Sequence, residues 1–198
     1  MLNKQRTMII VPHLDDAEFG MGGTLIKLCK ENNPKDVKIV VLCEGRDAEN
    51  AEARLKAYAK NIFLVGFQTC VYHYKDMELE LVPLKEITKL IEDELEDFKP
   101  SRIFTTSESD IHQDHQICAK AVKIACRPNR YVVDEFYEFM IPDNNPWNAT
   151  YYDTVVDVSD VQIMKTTICE VYTTEKYSQN TEINSREFFK TIHRNWKI

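Results

Sequence analysis

Short, β-branched apolar runs alternate with helix-patterned segments through the first 125 residues, and this alternation narrows the possible folds more than any other feature of the chain. Residues 7–11, 37–42, 62–65 and 102–106 read as four strands, the third ending at Gly66. Helices are predicted over 17–31, 47–60, 81–98 and 113–125; in the third, apolar residues at 84, 87, 90, 91, 95 and 98 mark one buried stripe. Residues 68–80 read as an aromatic loop over the body of the protein. Further on, 132–139 and 151–158 have strand character, while 163–172 and 185–196 read as helices. Strands apolar on both sides need cover on both, and βαβ crossovers supply it. The expected fold is therefore a three-layer α/β/α domain with a mostly parallel sheet, spanning residues 1–198 as one unit.

Composition excludes several classes. With 25 basic and 32 acidic residues the net charge is -7, which argues against a nonspecific grip on nucleic acid. No apolar run is long enough to span a bilayer. The first seven residues lead directly into a strand rather than into an apolar segment with a cleavage site, so a cytoplasmic protein is expected. The six cysteines include no Cys-x-x-Cys pair and sit in apolar surroundings, where reduced cysteine behaves as a small hydrophobe.

In such sheets ligands collect beyond the carboxyl ends of the strands. Two polar clusters fall there: Pro12-His13-Leu14-Asp15-Asp16-Ala17-Glu18 after the first strand, and Asp110-Ile111-His112-Gln113-Asp114-His115 after the fourth. They hold three of the five histidines. Imidazole and carboxylate suit zinc and related ions, and a catalytic zinc usually keeps three protein ligands; spacing alone does not say which three. Taken singly, each cluster could merely cap a helix, but their shared sheet edge favours one site. His73 and His193 lack a comparable setting and read as loop or surface residues. Gly20, Gly22 and Gly23 lack both the dinucleotide and the P-loop order and predict close backbone packing instead. A site of this kind suits hydrolysis of an amide: a bound metal polarises the carbonyl, a free carboxylate takes a proton from water, and a further imidazole holds the growing oxyanion.

His13-Leu14-Asp15-Asp16, followed by Gly20 and Gly22-Gly23-Thr24-Leu25, closely resembles the opening motif of the PIG-L/LmbE-like deacetylases, and His112-Gln113-Asp114-His115 resembles their second motif. Glu44-Gly45, Arg46 with Glu49, Gly66-Phe67 and Ser178-Gln179 extend the resemblance over about residues 7–180. It implies a Rossmann-like fold and a zinc-dependent enzyme that removes N-acetyl groups from amino sugars, sugar lipids or related metabolites; the expected substrate is an amino sugar, sugar nucleotide or related glycoconjugate, with Fe2+ as the alternative ion. By motif position, His13, Asp16 and His115 would be the metal ligands and Asp15 the general base. His112 would stabilise the oxyanion, Asp114 would orient a neighbouring histidine, and Arg46 would grip substrate, with Arg54 as the alternative or else on a solvated helix face. The family usually has proline where this chain has Leu14 and Gln113, and histidine near Lys176-Tyr177. Two other classes stay open: hydrolysis of another small amide, ester or phosphoester, and a noncatalytic sugar-binding or scaffold protein. Specificity would come from loops such as 67–80 and 140–150, with Trp147, Tyr151, Tyr72 and Tyr74 as stacking candidates, or from a partner subunit in a homo-oligomer.

Overall fold

Every residue of β1 (Thr7–Val11) is buried, with Met8 and Ile10 facing one helical layer and Ile9 and Val11 the other. This is the two-sided burial that the apolar run predicts. The computed structural model describes residues 5–45, 48–141, 152–172 and 186–194. Its other strands are β2 (Val37–Gly45), β3 (Gln68–Lys75), β4 (Arg102–Thr105), β5 (Glu135–Phe139), β6 (Thr154–Asp157) and β7 (Arg186–Arg194). The helices are α1 (Asp16–Glu31), α2 (Ala48–Val65), α3 (Leu84–Phe98), α4 (Gln113–Ala125) and α5 (Gln162–Glu170). Among the described residues the sheet has seven strands in the order β3-β2-β1-β4-β5-β7-β6. The run from β3 to β5 is parallel, and β7 pairs antiparallel with both β5 and β6.

One face is covered by α3 and α4 through Ile87, Ile91, Leu95, Cys118 and Val122. The other is covered by α1 and α2 through Met21, Leu25, Leu28, Ala57 and Tyr58, with α5 packed on α1 through Ile168 and Cys169. Burial of each large apolar side chain contributes roughly 1.5–3 kcal/mol. All six cysteines are free. No helix among the described residues is long and apolar enough to cross a membrane.

The glycines of α1 allow close approach, but to the sheet rather than to the histidine loop. A Cβ on Gly20 would lie 2.4 Å from Phe139 Cδ2, and one on Gly23 2.5 Å from Val158 Cβ. The helix is broken at Met21 (φ -144°, ψ 25°). Beyond the break, the N–H groups of Gly23 and Thr24 donate to the buried Glu187 carboxylate at 2.7 and 2.8 Å, and Lys165 balances its charge at 2.9 Å. Glu187 thus caps the second half of α1 from β7, supplying acceptors that the interrupted helix lacks.

Four sequence expectations are corrected. Residues 62–65 are not a strand but the last turn of α2. Arg54, Tyr58, Asn61, Ile62 and Val65 fall on its inner face at helical spacing, and this period overrides the local β propensity of Ile62 to Val65. Gly66 does end an element, but as the left-handed residue after a helix (φ 91°), with its N–H donating to Ile62 O at 2.8 Å. The third strand is the expected loop, β3, rich in Thr, Val and Tyr. Likewise 185–196 holds strand β7 rather than a helix: Glu187 and Phe189 are buried while Arg186 is exposed, a period of two. The 81–98 helix starts at Leu84, after a 3-10 turn at Leu79–Leu81 and Pro83.

Candidate metal centre and active site

β1 pairs with β2 on one side and β4 on the other, so the chain reverses its direction of travel across the sheet between β1 and β4. The carboxyl ends of these strands open a crevice at that switch point. His13 enters from the loop after β1, Asp16 from the first turn of α1, and His112, Asp114 and His115 from the start of α4. Ligand atoms of His13, Asp16 and His115 all lie within 4.8 Å of one another. His13 Nδ1 is 3.3 Å from Asp16 Oδ2 and 3.3 Å from His115 Nε2, which is itself 3.3 Å from Asp16 Oδ1. A tetrahedral ion bound at zinc's usual distances has ligand-to-ligand edges of about 3.3–3.4 Å.

The tautomers say the same. The other nitrogen of His115, Nδ1, faces Asp110 Oδ2 at 2.8 Å. His13 Nε2 faces Asp114 Oδ2 and Asp76 Oδ1, both at 3.2 Å. Carboxylates there fix the proton on the outer nitrogen and leave the inner lone pair free for a cation, the usual arrangement behind metal-bound imidazole. Three electron-rich groups then converge, and the one donor shown among them is the backbone N–H of His13, 2.9 Å from Asp16 Oδ2. In the absence of a metal, protons meet that demand. Burial pushes both imidazoles down, but Asp16 and the other carboxylates outweigh it, holding His13 well above its usual value and His115 at about 9. Asp16 is driven the opposite way: burial raises it, and His115 and His13 overcome that to hold it far below the carboxylate range. The donor set fits a divalent cation.

Asp15 occupies the N-cap position of α1, yet its side chain makes no capping bond. Its side chain is partly buried, which raises its pKa; Arg54 opposes that rise and Asp16 adds to it. His112 caps α4, its Nδ1 accepting from Asp114 N at 3.2 Å, which leaves Nε2 as the N–H donor. Its ring stacks on His115 (4.6 Å, 24°) and meets His13 edge-on (4.9 Å). Burial and its two histidine neighbours hold it below the usual imidazole value, which favours the neutral ring. Asp114, fully buried, also accepts from Met77 N (2.7 Å) and Leu79 N (3.3 Å).

Arg54 is not on a solvated face. It is 6% exposed, with NH2 3.9 Å from Asp15 Oδ2 and NH1 3.5 Å from Asp76 Oδ2. The expectations for Arg46, Trp147, Tyr151 and the Ser178-Gln179 segment lie outside the described residues. Tyr72 and Tyr74 donate to Glu94 and Glu86, and exposed His73 pairs with Glu44 at 2.7 Å. The sequence reading missed Asp76, because the strand it follows had been taken for a loop, and gave Asp110 no role.

Glu18 lies just behind the site, fully buried, accepting from Asn61 Nδ2 (3.1 Å) and Tyr172 OH (3.0 Å). Among the described residues its Oε2 and Asn61 Oδ1 have no partner, and burial pushes its pKa up to about 8. A neutral carboxylic acid carries the donor that this pair of acceptors lacks. Because the folded value exceeds the unfolded one, the acid's contribution to stability is full below about pH 4.5 and fades as pH rises toward 8. Glu18→Gln, always neutral and able to donate, should therefore stabilise the fold at pH 7 by on the order of 2 kcal/mol and have no such advantage at pH 4.5. Denaturation at the two pH values checks this; an equal effect at both would contradict it.

The fold and site define a doubly wound α/β protein in which two imidazoles and a carboxylate that could hold a metal ion converge at the switch point. Residues 8–126, more than half of the chain, match the model of the family described as "PIG-L: GlcNAc-PI de-N-acetylase", and the chain belongs to that family. It is 29% identical over 135 residues to a probable N-acetyl-alpha-D-glucosaminyl L-malate deacetylase 2 of Bacillus subtilis, an alignment covering 60% of this chain and 59% of that protein. The chain thus spans less than two thirds of that relative. Among solved structures, the N,N'-diacetylchitobiose deacetylase of Pyrococcus horikoshii superposes with a TM-score of 0.73 at 18% identity, covering 96% of this chain and 84% of the other. GalB, the 4-carboxy-2-hydroxymuconate hydratase of Pseudomonas putida, superposes at 0.70 with 15% identity, covering 96% and 97%. Since a hydratase shares the architecture, the fold alone does not assign the reaction.

Proposed function

We propose that this protein is a divalent-metal-dependent hydrolase, with zinc as its ion, that removes the N-acetyl group from an amino sugar, sugar nucleotide or related glycoconjugate. The observation that carries this reading is the convergence of His13 Nδ1, His115 Nε2 and Asp16 at 3.3 Å spacings, with Asp15 beside them. Family membership and the Bacillus subtilis relative favour deacetylation over hydration.

His13, Asp16 and His115 would hold the metal, which when bound polarises the amide carbonyl and lowers the pKa of water. Asp15, its pKa raised by burial, is a stronger base than an exposed carboxylate and takes the proton from the attacking water. Neutral His112 offers its Nε2–H to the oxyanion. Asp110 and Asp114 keep His115 and His13 in their working tautomers. Arg54 holds Asp15 in place, and Arg46, by its motif position, would grip the substrate.

The test is acetate release from a panel of N-acetylated amino sugars and nucleotide sugars, with metal content measured on the same sample. Release that chelation abolishes and metal restores is expected. A fully metal-loaded protein that frees acetate from no member of the panel would contradict the proposal.

A further inference from the structure

The loop between β1 and α1 is short, and each of its peptide groups is held by a different partner. The carbonyl of Pro12 accepts from Cys43 N on β2 at 2.8 Å, and His13 N donates to Asp16 Oδ2 at 2.9 Å. Asp15 O accepts from Phe19 N inside α1 at 3.0 Å. The carbonyl of Leu14, between His13 and Asp15, is held by a side chain from far along the chain: Tyr172 OH donates to it at 2.7 Å. Tyr172 follows α5, is 5% exposed, and has its ring 6.2 Å from that of Phe19.

The tyrosine is itself fixed from behind. Its N–H donates to Cys169 O in the last turn of α5, and its hydroxyl lies 3.0 Å from Glu18 Oε1. Asn61 of α2 donates to the same Glu18 oxygen and to Ile168 O of α5, both at 3.1 Å. Side chains of α1 and α2 and the end of α5 thus meet in one buried polar knot behind the site, and through Tyr172 the knot reaches the loop that carries His13, Asp15 and Asp16. A buried carbonyl deprived of its donor is costly, so this contact holds the loop in one arrangement.

We propose that Tyr172 is a positioning residue of the active site: its hydroxyl fixes the Leu14–Asp15 peptide, and with it the direction of Asp15 and the approach of His13 and Asp16 to a shared ion. The inference rests on the metal-dependent deacetylase reading above and adds a residue that acts on the site from behind. Rotation of that peptide swings the side chain of Asp15, which has no capping bond of its own to restrain it. Without the hydroxyl the loop samples arrangements in which the ligands no longer converge, and apparent metal affinity falls by the fraction of loop that stays competent.

Tyr172→Phe keeps the ring and its apolar packing and removes only the hydroxyl. Zinc affinity, measured by competition with a chromophoric chelator, should fall about tenfold. At saturating zinc, kcat for acetate release should also fall about tenfold while KM stays within about twofold. Glu18→Gln touches the same knot but leaves the bond from Tyr172 to Leu14, so it should keep both quantities within about twofold of the wild type. In an Asp15→Asn background, Tyr172→Phe should have almost no further effect on kcat, because the base that it positions is gone; a general loosening of the fold would instead carry over in full. Unchanged affinity and kcat in Tyr172→Phe, an equal loss in Glu18→Gln, or full additivity with Asp15→Asn overturns the assignment. Release of no acetate by the zinc-loaded wild type brings down the deacetylase reading instead, and the zinc affinities, which need no substrate, still decide for or against Tyr172.

Discussion

Asp15→Asn is expected to lower kcat by roughly a thousandfold while the purified protein keeps its wild-type metal content. The two halves of this outcome separate Asp15 from its neighbour. Asp16 turns its carboxylate toward both imidazoles, at 3.3 Å from each, whereas the charged partner of Asp15 is Arg54, at 3.9 Å. Asparagine preserves the shape, but it cannot take a proton from water. Burial, which comes first among the influences on Asp15, raises its proton affinity, and that is what a base working near neutral pH requires. Steady-state kinetics with metal analysis on the same preparation check the result. Near-normal turnover would remove Asp15 from the role of base, and loss of metal would move it into the ligand set.

His115→Ala and Asp16→Ala have the opposite signature: each should purify with far less than one equivalent of metal. Both groups are buried, and each is paired with the other, Asp16 also with His13 and His115 also with Asp110. Removing either leaves two donors where a catalytic zinc ordinarily has three. Asp110→Asn should lie between these variants and the wild type. It keeps a hydrogen-bond acceptor for His115 but loses the charge that makes the imidazole a stronger donor to metal, so affinity should fall roughly 10–100-fold. Competition with a chromophoric chelator measures all three. An order in which Asp110→Asn loses more metal than Asp16→Ala would reverse the assignment of inner and outer partners.

Strands β1, β2 and β4 and the two clusters holding His13, Asp15, Asp16, His112, Asp114 and His115 were legible because their signals are local. Thr7–Val11 is apolar throughout, and only a strand covered on both faces uses such a run. The two histidine clusters follow β1 and β4 directly, so knowing the strands was enough to place them at one edge. Ile62 to Val65 misled because β propensity depends on surroundings, and the surroundings that decided were three turns away along α2. That single error hid β3, and with β3 went Asp76, the carboxylate at its end that shares His13 Nε2 with Asp114. Arg54 was hard to place for a related reason: its burial depends on how far α2 runs and which face it turns inward. Residues 186–194 pair between two strands whose partners are distant in the chain, and no local pattern specifies an antiparallel insertion of that kind.

All of these roles depend on one cation shared by residues from two loops about a hundred positions apart. Anomalous diffraction from crystals of the metal-loaded protein, recorded on either side of the zinc absorption edge, tests that directly. The expected result is a single strong peak about 2.0–2.2 Å from His13 Nδ1, His115 Nε2 and an Asp16 oxygen. A peak elsewhere, or His13 and His115 rings turned away from a common centre in protein saturated with metal, would contradict it.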